Sequence, residues 1–529
     1  MNRRSVVSAL AITAAGALAL TGCSGGSGSS TSTGASTKTL VVDNAFDLKT
    51  SDPARAFELT GSIVDRAIYE TALTFEGSDV TKPQPQIATY TQSADNKTLT
   101  LKLNGKHTFS SGNPVTADDI VWSYQRVEGI GSSPVFLLQD AAGKNIAVKK
   151  VNATTVTLTS SAPNPQLPYI LPNPSLGILD SKTLIKNGGA TTKADKAEAY
   201  LNAHSAGSGP YLLQSYDQQT KVVFGPNPKY AGKKPVYGRV VLQNVQSPQQ
   251  KINVEGGQAN VALNLNADQV KGLGSGTKVV KGTSPDVFYA WLNQDPKVSA
   301  GITNKQDFIN AWRKGIDYTK ILALTGEGST QPGGMVPSQF LGAIKPDATN
   351  TTDTQGAIAA LNKSGYKGQQ ITFSYPSDSA INGVDLKTVA QAVQSQLKTV
   401  GINLKLNGTP FVTFIDAYRA GKLQAGLMYW GPDFPDPADY TVFSPGDSLG
   451  LRAGWAKGMA PNVTQAKNAA LAATQTAERA TAYSTWQRVA NSSGPFIPLV
   501  QPPQYLVTTS KVQSIAANAV WTVDLAAIR

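Results

Sequence analysis

Apolar residues recur along this chain at two spacings, and the alternation between them predicts interspersed strands and helices. Thr98-Leu99-Thr100-Leu101-Lys102-Leu103 alternates strictly and predicts a half-buried strand; Val156-Thr157-Leu158-Thr159 repeats the pattern. Thr39-Leu40-Val41-Val42 predicts a short strand that opens the folded body. Over 115–122, Thr116 followed three residues later by Asp119 marks a helix start, with acids in the first turn. The strongest helical pattern covers 385–400, where Leu386, Val389, Val393, Leu397 and Val400 share one face. Gly401 then supplies a left-handed cap, and Ile402-Asn403-Leu404-Lys405-Leu406 alternates as a strand. A second such unit follows: a short helix over 411–419, a stop at Gly421, and the apolar strand Leu427-Met428-Tyr429-Trp430. Strand, helix and strand at this spacing predict a crossover and some parallel sheet. Residues 307–322 predict one helix, and 464–491 predict two. The class is mixed α/β, with sheets flanked by helices.

The N-terminus has a different character. Arg3 and Arg4 precede an apolar stretch over 6–20 that is too short and too diluted by Ser8, Thr13 and Gly16 to span a membrane. It has the layout of an export signal. The single cysteine of the chain, Cys23, ends Leu20-Thr21-Gly22-Cys23, which resembles the lipobox of bacterial lipoproteins. That resemblance implies cleavage after residue 22 and lipidation of Cys23. The Ser/Gly/Thr run over 24–38 predicts a flexible tether with a reach of roughly 20 Å. With the one thiol committed to lipid, no disulfide forms within the chain, and packing alone stabilises it.

Charge narrows the function further. The net charge is +12, yet no basic run exceeds two residues and charged residues are only 16% of the chain. A nucleic-acid partner is not expected of an exported chain with scattered lysines. The two histidines, His107 and His204, have no second histidine or cysteine at ligand spacing, which argues against a side-chain metal centre and against His-based nucleophilic catalysis. No Walker-type glycine loop is present, and no cofactor is implied.

Several motifs resemble one family. These are Ile68-Tyr69-Glu70 with Leu73; Phe109-Ser110-Ser111-Gly112-Asn113-Pro114-Val115-Thr116-Ala117-Asp118-Asp119; Gly207-Ser208-Gly209-Pro210-Tyr211 with Asn227-Pro228-Lys229-Tyr230; Tyr289-Ala290-Trp291-Leu292-Asn293; and Trp430-Gly431-Pro432-Asp433-Phe434-Pro435-Asp436-Pro437. Together they resemble the bacterial solute-binding proteins of family 5, which serve oligopeptide, dipeptide and nickel uptake. One departure is Ala72, where the family has glycine. The resemblance implies a two-lobe clamshell of the periplasmic-binding type II class, in its large form with an extra inserted domain. It divides the chain into a signal (1–22), a tether (23–38), lobe I (39–75, 205–285 and 497–529), an inserted domain (76–204) and lobe II (286–496). The hinge crossings fall near 289–293 and 496–500. The implied partners are a small-molecule or peptide ligand, the membrane subunits of an ATP-driven permease, and the membrane itself through Cys23. The protein is expected to be a monomer, and not an enzyme.

In peptide-binding members an aspartate three residues after the Trp takes the ligand's α-ammonium, and Asp433 occupies that place. Trp430, Phe434, Tyr440 and Tyr289 are the candidate ligand-packing aromatics, while Asp436 and Asp439 read as helix caps. The expected function is capture of oligopeptides by hinge closure and delivery to the permease; other cargoes for the same fold are an oligosaccharide, an opine-like conjugate or a metal chelate. Gly446-Asp447-Ser448-Leu449-Gly450 has the letters of a hydrolase elbow, but no apolar strand leads into it and both histidines lie more than two hundred residues upstream. Ser448 is therefore expected to be a loop residue, and a secreted hydrolase is the least favoured reading.

Overall fold

The computed structural model describes residues 38–140 and 143–529. The export signal, the tether and Cys23 lie outside the described residues. Three sheets organise the body. A seven-stranded sheet runs in the order Thr277–Thr283, Pro503–Thr509, Val261–Ala262, Thr39–Asn44, Arg239–Asn244, Lys221–Pro226, Tyr211–Asp217. A five-stranded sheet runs Leu404–Thr409, Ile371–Pro376, Ala425–Trp430, Val287–Leu292, Phe496–Val500. An antiparallel four-stranded sheet is built from Ala88–Gln92, Thr98–Leu103, Thr155–Thr159 and Ala147–Asn152.

The expected crossover is present. Ile371–Pro376 pairs in parallel with both Leu404–Thr409 and Ala425–Trp430, and helices Leu386–Thr399 and Phe411–Arg419 make the connections. Asp385 caps the first of these helices by accepting from Lys387 N, and Gly401 and Gly421 both take positive φ, as their places after helix ends require. Helix Ala117–Ile130 begins with the capping box of Thr116 and Asp119. The pattern over 307–322 resolves differently: helix Gln306–Gly315 ends, and Tyr318–Thr325 begins anew. Asp317 breaks the run because its carboxylate accepts from Lys320 N (3.0 Å) while its own N–H goes to Gln396 Oε1 (2.9 Å).

The two large sheets are joined by two short passages. Thr277–Thr283 of the seven-stranded sheet leads through residues 284–286 into Val287–Leu292 of the five-stranded one, and Phe496–Val500 returns through residues 501–502 into Pro503–Thr509. Both passages lie outside the strands where the motif reading put them. Phe496–Val500 pairs along its length with Val287–Leu292 and so belongs wholly to the five-stranded sheet. Both strands are buried along their whole length, Val287–Leu292 inside the sheet and Phe496–Val500 at its edge, and the chain turns at Pro285 and Pro502, just beyond their paired residues.

One charged knot ties the stretch around Asp52 to helix Ala117–Ile130 and to the loop at Asp195. Arg126, fully buried on helix Ala117–Ile130, holds both oxygens of Asp52 (2.7 and 2.6 Å) and both of Asp195 (2.8 and 2.9 Å). Arg55 reaches the same two carboxylates. Nearby, the Gly-rich motif is explained by close approach: a Cβ on Gly207 would fall 2.1 Å from Ile68 O, and one on Gly209 would fall 2.5 Å from Ile68 C. Glu70, in the same corner, meets His107 Nδ1 at 3.0 Å. Most of the family-like motifs therefore build this corner rather than a ligand site.

Candidate functional site

Strand period decides which side chains reach the site. In Val287–Leu292, residues 287, 289 and 291 join one apolar cluster, while 288, 290 and 292 join the other, under the helices of the crossover. Tyr289 pairs with Met428 and Val287 with Trp430 in the neighbouring strand, so Tyr289, Met428 and Trp430 share the same face. Helices Phe411–Arg419 and Ser448–Arg452 bring Tyr418, Arg419 and Arg452 to that face. The result is a cavity of about 280 Å³ floored by Tyr289, Met428 and Trp430 and walled by Tyr418, Arg452 and Asp433; Phe57 joins from the chain's first segment.

The loop carrying Asp433 is pinned on several sides. Strand Ala425–Trp430 ends, Gly431 and Pro432 turn the chain, and a 3-10 turn follows over Pro437–Phe443. Asp436 caps that turn by accepting from Ala438 N (2.9 Å) and is held by buried Arg479 at 2.6 Å. Asp439 accepts from Asp433 N (3.0 Å). From the segment beyond the four-stranded sheet, Asn173 Nδ2 donates to Asp433 O (2.9 Å). Gly431 is needed here, since a Cβ would fall 2.4 Å from Asp286 Oδ1 on the passage between the sheets. With its backbone fixed in this way, Asp433 lies on the cavity wall.

The electrostatics follow from crowding. Burial pushes the Asp433 carboxyl up to about 7, against a hydrogen bond with Asp439 and the field of Arg452, which pull it down. Burial, then the charge of Asp433 beside it, hold Asp439 well above the usual carboxylate range. Two carboxyl groups this close share a proton, as like charges in a desolvated site cannot both ionise.

The structure sorts the candidates expected from sequence. Asp433, Trp430 and Tyr289 line the cavity together. Tyr289 is also a core residue: it is fully buried, shares a 2.8 Å hydrogen bond with Tyr418 OH, and packs edge-on against Phe443 and Phe496. Phe434 and Tyr440 do not line the cavity; Tyr440 is buried behind it against Phe340. Asp436 is the cap its sequence position suggested, whereas Asp439 braces Asp433. Tyr418, Arg419, Arg452 and Phe57 are not singled out by sequence; the short helix expected over 411–419 carries the first two. Ser448 begins the helix that ends in Arg452. His107 is engaged by Glu70, and His204 stacks on Tyr200 with centroids 4.5 Å apart. Among the described residues, no group of three or more His, Cys, Asp or Glu is placed to hold a metal ion, and no helix is long and apolar enough to cross a membrane.

Two sheet-based bodies joined by paired passages, with a walled cavity beside them, define the type II periplasmic binding class. The family model for bacterial extracellular solute-binding proteins, family 5 (middle), matches residues 82–448, and the chain belongs to that family. It is 28% identical over 491 residues to the probable D,D-dipeptide-binding periplasmic protein DdpA of Escherichia coli (strain K12), covering 90% of this chain and 91% of the relative. Its fold matches that of the ABC transporter substrate-binding protein CtaP of Listeria monocytogenes at a TM-score of 0.79, with 17% identity and 93% and 99% of the two chains covered. It also matches a dipeptide-binding protein of Pseudoalteromonas sp. SM9913 in complex with Met-Leu, at a TM-score of 0.77 with 17% identity, over 93% and 100% of the chains.

Proposed function

We propose that this protein is the lipid-anchored, extracytoplasmic substrate-binding component of an ABC importer, capturing short peptides and passing them unaltered to a membrane permease. Lobe I and its inserted domain close on lobe II about residues 284–286 and 501–502, with ligand trapped between them. Closure is driven only by the extra contacts that the closed form makes with ligand. Cys23 carries the anchor, the 24–38 tether gives the body its reach, and a single copy suffices for capture.

The observation that carries the peptide reading is the Asp433 carboxyl, presented to an aromatic-floored cavity by a loop fixed through Asn173, Asp439 and the Asp436–Arg479 pair. A rigid acceptor on a desolvated wall suits a ligand ammonium, and a hydrogen bond to a charged group contributes about 1.5–3 kcal/mol. Relatives described as binding dipeptides support the same cargo. Asp433→Asn is expected to lose roughly tenfold or more in affinity for free-amine peptides. N-acetylated peptides are expected to bind the native protein poorly. Calorimetry showing equal affinity for acetylated and free peptides would remove the ammonium site.

A further inference from the structure

The cavity holds more positive than negative charge, and its charges form no ion pair, although the field of Arg452 reaches Asp433. Asp433 is the one acid on the wall, while Arg419 and Arg452 are both lining residues. Among the described residues no ion pair joins Asp433 to either arginine, and neither guanidinium has a hydrogen-bond acceptor or a carboxylate partner. Arg452 is instead held over the Tyr418 ring, 5.4 Å from its centroid, and Asp433 is held by its pairing with Asp439. Arg452 is half-buried and Arg419 is exposed at the end of helix Phe411–Arg419. Unpaired guanidinium groups beside a half-open cavity suit planar carboxylates, which they can meet two hydrogen bonds at a time. The volume of about 280 Å³ sits at the lower edge of the usual range for small-ligand pockets, which favours a short guest.

We infer that Arg452 and Arg419 are specificity-determining residues that select an acidic dipeptide, a guest with one ammonium for Asp433 and two carboxylates for the two guanidinium groups. The inference rests on the peptide reading above and adds the sign and number of the guest's other charges. Arg452, half-buried and so less screened, contributes more than the exposed Arg419.

The test is calorimetry at low ionic strength with Ala-Glu, Ala-Gln, Ala-Lys and N-acetyl-Ala-Glu. Ala-Glu is expected to bind about tenfold more tightly than its neutral isostere Ala-Gln, and Ala-Lys more weakly than either. In an Arg419→Gln/Arg452→Gln protein the Ala-Glu to Ala-Gln ratio should fall to about one, whereas Arg452→Lys, which keeps the charge, should retain most of the preference. Circular dichroism melting separates loss of fold from loss of selectivity. A native ratio of one or less, or a ratio unchanged by the double substitution, overturns the inference while leaving the Asp433 site standing. Equal affinity for N-acetyl-Ala-Glu and Ala-Glu removes the ammonium site but leaves the arginine preference. Failure of every dipeptide to bind overturns both.

Discussion

Acidification provides the sharpest probe of the Asp433 wall. Ligand capture through an ammonium–carboxylate contact needs Asp433 ionised and the peptide amine protonated. Burial places the Asp433 carboxyl at about 7 in the free protein, and a peptide α-amine titrates at about 7.7–8.0. Below the first value the carboxyl must shed its proton before it can bind, and above the second the amine has lost its charge. Affinity should therefore trace a bell with its maximum near pH 7.4. The product of the two charged fractions rises about fifty-fold from pH 5 to that maximum and falls about ninefold by pH 9. The acid limb has a second signature. At pH 6 roughly nine-tenths of a proton should leave per peptide bound, measurable by titration calorimetry in two buffers of different ionisation enthalpy. Asp433→Asn should flatten the acid limb and abolish proton release. An affinity constant from pH 5 to 7 in the native protein, or the same acid limb in Asp433→Asn, would refute the assignment of that proton.

Two further predictions concern architecture. Arg126→Met leaves Asp52 and Asp195 buried with only Arg55 to neutralise them, and should cost about 3–5 kcal/mol in urea unfolding; a loss under about 1 kcal/mol would mean the knot is dispensable. Gly209→Ala drives a Cβ into the Ile68–Tyr69 backbone and should cost about 1–3 kcal/mol while leaving peptide affinity in the surviving folded protein unchanged, so an unaltered urea midpoint would contradict the close-approach explanation.

How much of this was readable in advance depended on the range of the interaction. The capping box of Thr116 and Asp119, the caps at Gly401 and Gly421 and the crossover they punctuate were all legible, because each is set by contacts within a few residues. The break at Asp317 was not, because it depends partly on Gln396, far along the chain. The Gly207-to-Tyr211 motif was conspicuous, but its meaning came only with the Ile68 backbone against it. Asp433 and Trp430 are found through a motif, whereas Asp439, three letters later than the capping Asp436, reads as another cap and in the fold meets Asp433.

By itself the sequence determined the class, the elements and the place of one charged loop, since apolar period and turn chemistry are local properties written in order. Only the tertiary structure decided which side chains meet there. The 2.0-residue strand period turns Tyr289 and Trp430 toward the cavity, while helix ends deliver Arg419 and Arg452 from opposite sides of Asp433 in sequence. A binding site is a convergence of residues separated along the chain, and long-range packing sets it without leaving a pattern at any one position.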